Sequence, residues 1–265
     1  GSAEPYHDPF LMKDMPKAAE RILRGIDAGE RITVYGDYDV DGISASSLLY
    51  LFLKDCGADV NTYIPERKSE GYGLNIDALN HLAEAGTTLV VTVDCGISAV
   101  KEIAGAPKTL DIVVTDHHTP PEVLPEAYAL VNPHQKDCSY PFEHLSGVGV
   151  AFKLCQALYK MRFPNKPLWD GNTEFVALGT VADIVPLWGE NRALVKHGLK
   201  KMETTENIGL KALIEKSRCP VKDITSENIG FILAPRLNAV GRLEHAQLAV
   251  ELLTAQDEAR AAEIA

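Results

Sequence analysis

The sequence has no Cys-x-x-Cys pair, and its five cysteines (Cys56, Cys95, Cys138, Cys155 and Cys219) are odd in number. A disulfide framework is therefore not expected, and a reducing cytoplasm is the compartment that fits. No run approaches ~18 uninterrupted apolar residues, so a membrane-spanning helix is not expected either. No signal peptide is read at the start; Gly1-Ser2 reads as a cloning scar, with the true N-terminus expected to be missing. Basic residues are in deficit, 26 Lys and Arg against 37 Asp and Glu, for a net charge of −11. That balance argues against broad nucleic-acid binding. The deficit counts for less if acids are clustered where cations neutralise them. Asp37, Asp39, Asp41, Asp94, Asp116 and Asp183 make up more than half of it. Internal repeats and low-complexity segments are also absent. What is there is ordinary for a globular protein: 265 residues, 46% hydrophobic and 24% charged, enough for a substantial core in one large domain or two smaller ones.

The first half alternates in a βα rhythm. Strands are predicted at Ile32–Tyr35, Val60–Ile64, Leu89–Val93, Asp111–Thr115 and Ala129–Val131, with helices at Gly42–Cys56, Ile76–Ala85 and Ser98–Ala104. Runs such as "TLVVTV" and "DIVV" do not alternate with polar residues, as suits strands buried on both faces. The fold class is therefore α/β, a parallel sheet wrapped by helices, with ligands binding outside the carboxyl ends of the strands. From Gly147 the pattern turns helical, at 147–161 and then at about 172–183, 190–203, 209–217 and 226–234. The final stretch, "EHAQLAVELLTAQDEARAAEIA", reads as one long helix with no cap or breaker. The expected organisation is an α/β half over 1–146, a helical part of the same catalytic domain over 147–242, and over 243–265 the start of a connecting helix to a missing domain.

In "VYGDYDVDGISASSLL", Asp37, Asp39 and Asp41 stand at every second position with a glycine after them, as at the start of an EF-hand loop. That reading fails. The loop's twelfth position needs a bidentate Glu and is Leu48 here, and the preceding "RITVYG" is a strand rather than a helix. Two further clusters follow strands: Asp94-Cys95-Gly96 and Asp116-His117-His118. A single acid after a buried strand can be a helix N-cap. Three clusters on one sheet edge repel one another, and cations are the natural compensation. Oxygen ligands mixed with a histidine suit Mn²⁺ or Mg²⁺ rather than structural zinc. Two such ions bridged by a carboxylate can activate water and stabilise the leaving oxygen of a phosphoester.

The segments "DYDVDG", "VDCG", "TDHH" and "VADIVPL", in this order, resemble the four metal-site motifs of the DHH phosphoesterases, and most of all the RecJ-type single-stranded-DNA exonucleases. "HDPFLMKDM", "IPERKSEGYGLN", "LSGVGVAFKL" and "PRLNAVGRLEHA" extend the likeness over nearly the whole chain. The resemblance implies a metal-dependent phosphodiesterase releasing nucleotides from an end of single-stranded DNA, with roles in DNA repair and recombination. It makes Asp41, Asp94, His117 and Asp183 ligands of one metal. Asp94 bridges to a second ion also held by Asp39, and His118 contacts the scissile phosphate. Asp116 is read as an orienter of the histidine pair. In the pyrophosphatase branch a metal-binding histidine stands four residues before the position of Asp39; here that residue is Tyr35. The second site is therefore poorer in ligands, with Asp37 as a partial replacement, and is expected to bind weakly. The implied partners are single-stranded DNA and other DNA-repair proteins engaged through missing regions, with the chain itself a monomer.

"PRLNAVGR" offers Arg236, Asn238 and Arg242, which grip phosphates if the segment lies near the site; solvated arginines at a helix end are the plain alternative. Glu66–Gly73 reads as a loop touching the nucleic-acid backbone or as an ordinary surface loop. Cys95 is read as a small residue packed in a turn rather than a nucleophile. His134, His144, His197 and His245 are read as structural or surface residues. Three other functions stand against the leading one: a DHH enzyme for short oligonucleotides or small nucleotides, a haloacid-dehalogenase phosphatase, and a non-catalytic replication factor of the same fold. The phosphatase reading leaves His117 and His118 unexplained, and Ile43 stands where it needs a hydroxyl. The replication-factor reading conflicts with ligand positions that are all filled.

Overall fold

The computed structural model describes residues 6–66, 72–243 and 246–265. In chain order the first half runs α1 (Met15–Asp27), β1 (Arg31–Gly36), α2 (Val40–Asp55), β2 (Asp59–Tyr63), α3 (Ile76–Glu84), β3 (Thr87–Val93), α4 (Val100–Ala104), β4 (Asp111–Thr115) and β5 (Ala129–Val131). The five strands form one parallel sheet in the order β2-β1-β3-β4-β5. The chain leaves β1 to one side for β2 and returns to the other side for β3. The carboxyl ends of β1 and β3 therefore flank the switch point, where doubly wound sheets open a crevice.

Continuous apolar strands bury both faces because successive side chains point opposite ways. Val34, Leu89, Val91, Val93 and Val113 join a core shared with α1 and α2. Tyr35, Val90, Ile112 and Val114 join a second core under α3 and α4. The helix α2 is buried around most of its circumference, so its serines bond to their own backbone: Ser46 Oγ to the Gly42 carbonyl at 2.7 Å and Ser47 Oγ to the Ile43 carbonyl at 2.8 Å.

The second half supplies α5 (Gly147–Arg162), α6 (Thr173–Ala182), α7 (Gly189–Met202), α8 (Ile208–Lys216), α9 (Ser226–Asn228), a π-helical turn over Ile229–Leu233, α10 (Ala234–Leu243), α11 (Ala246–Leu253) and α12 (Glu258–Ile264). Helices α5, α6 and α11 pack on α2. Two expectations need correction. The stretch 243–265 is not one helix: α11 ends at Leu253, and Asp257 caps a new helix by accepting the Ala259 amide at 2.9 Å. Thr254 stands at the end of α11, with its amide and hydroxyl both on the Val250 carbonyl, at 3.0 and 2.8 Å. The predicted helix 226–234 is a short turn followed by the π turn, and it continues into α10. Among the described residues no helix is long and apolar enough to cross a membrane.

A buried ion pair between α5 and α7 draws in His7 and Tyr140 from the first half. Lys153 Nζ lies 2.9 Å from Glu190 Oε2 and donates to the His7 carbonyl at 2.7 Å, while the Tyr140 hydroxyl donates to Glu190 Oε1. Removing one partner strands a buried charge. Lys153→Ala is expected to cost about 3–5 kcal/mol in urea unfolding, and Lys153→Met combined with Glu190→Gln much less. Equal losses in the two variants would contradict this.

Candidate metal centre

The three strand-end clusters meet at the crevice between β1 and β3, joined by Asp183 from the end of α6. Asp39 caps α2, accepting the Gly42 amide at 2.7 Å. Two residues on, within the first turn of α2, Asp41 is 1% exposed and is gripped by the first turn of α5, accepting the Gly147 amide on Oδ2 and the Val148 amide on Oδ1, both at 2.8 Å. A helix N-terminus is a natural seat for a carboxylate. Asp94 follows β3 in left-handed backbone (φ +60), an uncommon conformation for a residue with a side chain and one often kept at functional sites. Gly147 lets α5 approach it: a Cβ there would stand 2.4 Å from Asp94 Oδ1.

His117 Nε2 lies 3.0 Å from Asp94 Oδ1, 3.4 Å from Asp183 Oδ2 and 3.5 Å from Asp41 Oδ2. Both Asp94 oxygens, Asp37 Oδ1 and His117 Nε2 are buried without a hydrogen-bond partner among the described residues. Ligand-type atoms converge in three overlapping groups: Asp41 with His117 and Asp183; Asp37 with Asp39 and Asp94; and Asp94 with His117 and His118. Asp94 shares a group with each side of the cluster.

Crowding shows in the protonation equilibria. Burial, then the neighbouring Asp39, pushes Asp37 up to about 8 and Asp41 up to about 7. Burial, then Asp41, raises Asp183 to about 7 and lifts Asp94 well above the carboxylate range. Burial lowers His117, keeping the imidazole neutral with a lone pair to give. Its neighbour goes the other way: a 2.6 Å hydrogen bond to Asp116 Oδ1 raises His118 to about 9. Burial pushes Asp116 up, but the His118 hydrogen bond and charge, with the amides of Ile97 and His118, outweigh it and hold the carboxylate low. Asp116 thus orients the imidazolium.

The remaining sequence candidates are less central. Asn238 lines the groove beside Asp39, Asp41 and Asp183. The segment carrying it is helical, but Arg236 is exposed and donates to the Ala265 carbonyl at 3.0 Å, and Arg242 is exposed. Tyr35 is fully buried, its hydroxyl 3.3 Å from the Gly73 carbonyl and from the Asn75 amide. Cys95 is buried with its thiol 3.8 Å from the Tyr35 carbonyl, and burial pushes that thiol well up, which suits packing rather than attack. His134 and His144 each have a ring nitrogen 3.8 Å from Glu143. His197 lies 3.6 Å from Asp170, and His245 falls outside the described residues. Residues 67–71 of the expected backbone-contacting loop fall outside them too.

Two contributors were not singled out in the sequence. The Tyr72 hydroxyl lies 3.2 Å from His118 Nδ1 and donates to the Asp94 carbonyl at 3.3 Å. The Gly147 and Val148 amides were readable only through "SGVG", a capping serine followed by glycines at a helix start, with Ser146 Oγ accepting the Gly149 amide at 3.1 Å.

Residues 31–180 match the model of the DHH family, N-terminal domain. Over 261 residues the chain is 46% identical to the single-stranded-DNA-specific exonuclease RecJ of Bacillus subtilis, covering 98% of this chain and 32% of that protein. A crystal structure of exonuclease RecJ bound to manganese superposes with a TM-score of 0.86 at 34% identity, over 99% of this chain and 65% of that one. RecJ of Thermus thermophilus in complex with Mn²⁺ gives a TM-score of 0.82 at 34% identity, over 96% of this chain and 36% of that one. The chain spans about a third of the length of the Bacillus relative. The family match overturns the haloacid-dehalogenase alternative, and with motifs, sheet order and acidic crevice in agreement, this chain belongs to the DHH family.

Proposed function

We propose that this chain is the nuclease core of a RecJ-type exonuclease, hydrolysing phosphodiester bonds of single-stranded DNA from an end, with divalent cations as cofactor. The observation that carries the reading is the set of both Asp94 oxygens, Asp37 Oδ1 and His117 Nε2, buried without a hydrogen bond among the described residues and converging at one switch point. Buried carboxylates in that state call for cations. The donors are oxygens and one neutral imidazole with no thiolate, which fits Mn²⁺ or Mg²⁺. Asp41, Asp94, His117 and Asp183 would hold one ion, and Asp37, Asp39 and Asp94 a second. Bound there, the cations supply Lewis acidity, lowering the pKa of water and neutralising charge on the phosphoryl oxygens.

The protein's own groups do the rest. The α5 amides fix both oxygens of Asp41, so the carboxylate cannot swing away as substrate enters. Asp116 occupies Nδ1 of His118, which leaves Nε2–H as a charged donor for a phosphate oxygen. Asn238 adds an amide to the groove wall. The same reading includes work in DNA repair and recombination, a cytoplasmic location, and DNA-repair proteins as partners of the full-length protein.

With Mn²⁺ present, the chain is expected to release mononucleotides from end-labelled single strands, and chelation to abolish release. Asp41→Ala, Asp94→Ala and His117→Ala should each lower turnover by about a thousandfold or more while the fold survives, since each removes a group that stabilises the transition state. Near wild-type turnover in Asp94→Ala would sink the shared-ligand role.

Metal affinity should be unequal. Tyr35 supplies no imidazole to the Asp37–Asp39–Asp94 side, so calorimetric titration of Mn²⁺ into metal-free protein should give one strong and one weak event. Two equally tight events would contradict the assignment.

The metal-free fold should weaken in alkali. Carboxylates with folded pKa values raised toward 7–8 bind more protons folded than unfolded, so stability falls as pH rises through that window. The raised His118 acts in the same direction, its contribution being lost as pH passes about 9. Chelated protein should melt roughly 5 °C lower at pH 9 than at pH 6, and Mn²⁺ should shrink the difference. A chelated protein more stable at pH 9 would contradict the crowding.

A further inference from the structure

The groove that holds Asp39, Asp41 and Asp183 does not end at the acids. It runs on, ≈ 490 Å³ in all, along Val181, Ile184, Phe231 and Pro235. Two side chains in that wall stand at a cost, one in backbone strain and one in apolar surface left in water. Ile184, directly after Asp183, is a β-branched residue in left-handed backbone (φ +57) with 89% of its surface in solvent. Such a conformation is a genuine outlier for a branched side chain. Phe231 is 82% exposed and sits in the π-helical turn, where Ile229 and Leu233 are buried and Ile232 is half-buried. π turns are rare and frequently found at functional sites.

We propose that Phe231, flanked by Ile184, is a stacking platform for an unpaired nucleobase of the strand whose phosphate lies at the carboxylate cluster. The proposal rests on the nuclease reading above. A nucleotide carries an anionic phosphate and a flat base with apolar faces, and this single groove offers a cation-binding end and an apolar end in continuity. Its size lies within the range of about 300–1,000 Å³ typical of small-molecule sites. Both faces of a base inside a duplex are already stacked, so an aromatic platform selects a single strand, and it does so without reading sequence. Specificity for unpaired strands would then be built partly into the catalytic groove itself.

The test pairs a protein change with a substrate change. Single strands are prepared in which one nucleotide at a time, counted from the cleaved end, is abasic, and kcat and KM are measured with Mn²⁺. For wild type, one abasic position should raise KM about tenfold, the order expected of one base–aromatic stack, with kcat little changed. Phe231→Ala should raise KM for the intact strand by a similar factor and lose its sensitivity at that position alone; Phe231→Trp should restore both. Phe231 is exposed, so the melting temperature should not move. Ile184→Gly should keep or raise the melting temperature, since the strain is relieved, while raising KM. Phe231→Ala that remains as sensitive as wild type at every abasic position would overturn the platform alone. A wild-type chain that cleaves no single strand would overturn the nuclease reading and the platform with it.

Discussion

The constraint on which the rest depends is the repulsion among carboxylates withdrawn from water at the β1–β3 switch point. Two unit charges ~4 Å apart repel by about 4 kcal/mol even at an effective dielectric of 20. Asp41 and Asp94 are each 1% exposed, and Asp37 is 3% exposed. A fold does not assemble such a group by accident of packing. The sheet order brings β1 and β3 side by side, the left-handed backbone at Asp94 aims its carboxylate inward, and Gly147 removes the side chain that would block it. The α5 amides partly compensate Asp41, whereas no amide among the described residues reaches either Asp94 carboxylate oxygen, whose near neighbour is the neutral His117 imidazole at 3.0 Å.

The same crowding divides labour between two adjacent histidines. His117 faces the carboxylates, yet burial outweighs them and keeps its ring neutral, as a ligand must be. His118 is turned to Asp116, which raises it and keeps it cationic. Pairs of titratable groups pushed apart by their surroundings mark acid and base roles in active sites. Here the pair is made by Asp116, whose oxygens also collect the Ile97, His117 and His118 amides and so pin the loop.

Much of this was legible in the sequence, because buried parallel strands announce themselves as unbroken apolar runs. Asp111–Thr115 and Ala129–Val131 fall where the sequence places them, and the acids after β1, β3 and β4 follow from that placement. Asp183 was reachable only through the family motif, since it sits at a helix end and becomes part of the cluster by the packing of α6 on α2. The α5 amides escaped because backbone donors carry no residue signature. The break after Leu253 escaped because the Asp257 cap that starts the next helix looks, in sequence, like an ordinary acid on a helix surface. The exposure of Phe231 was not legible either: an apolar residue in a helical stretch carries no mark of which way it faces, and this one lies in a π turn, 82% exposed.

The central claim is that cations, not protons, are the intended compensation for these acids. Anomalous scattering from crystals grown with Mn²⁺ tests it most directly. One strong peak is expected among Asp41, Asp94, His117 and Asp183, and a second, weaker one between Asp37, Asp39 and Asp94. No peak in the crevice, or peaks confined to surface acids elsewhere, would contradict it.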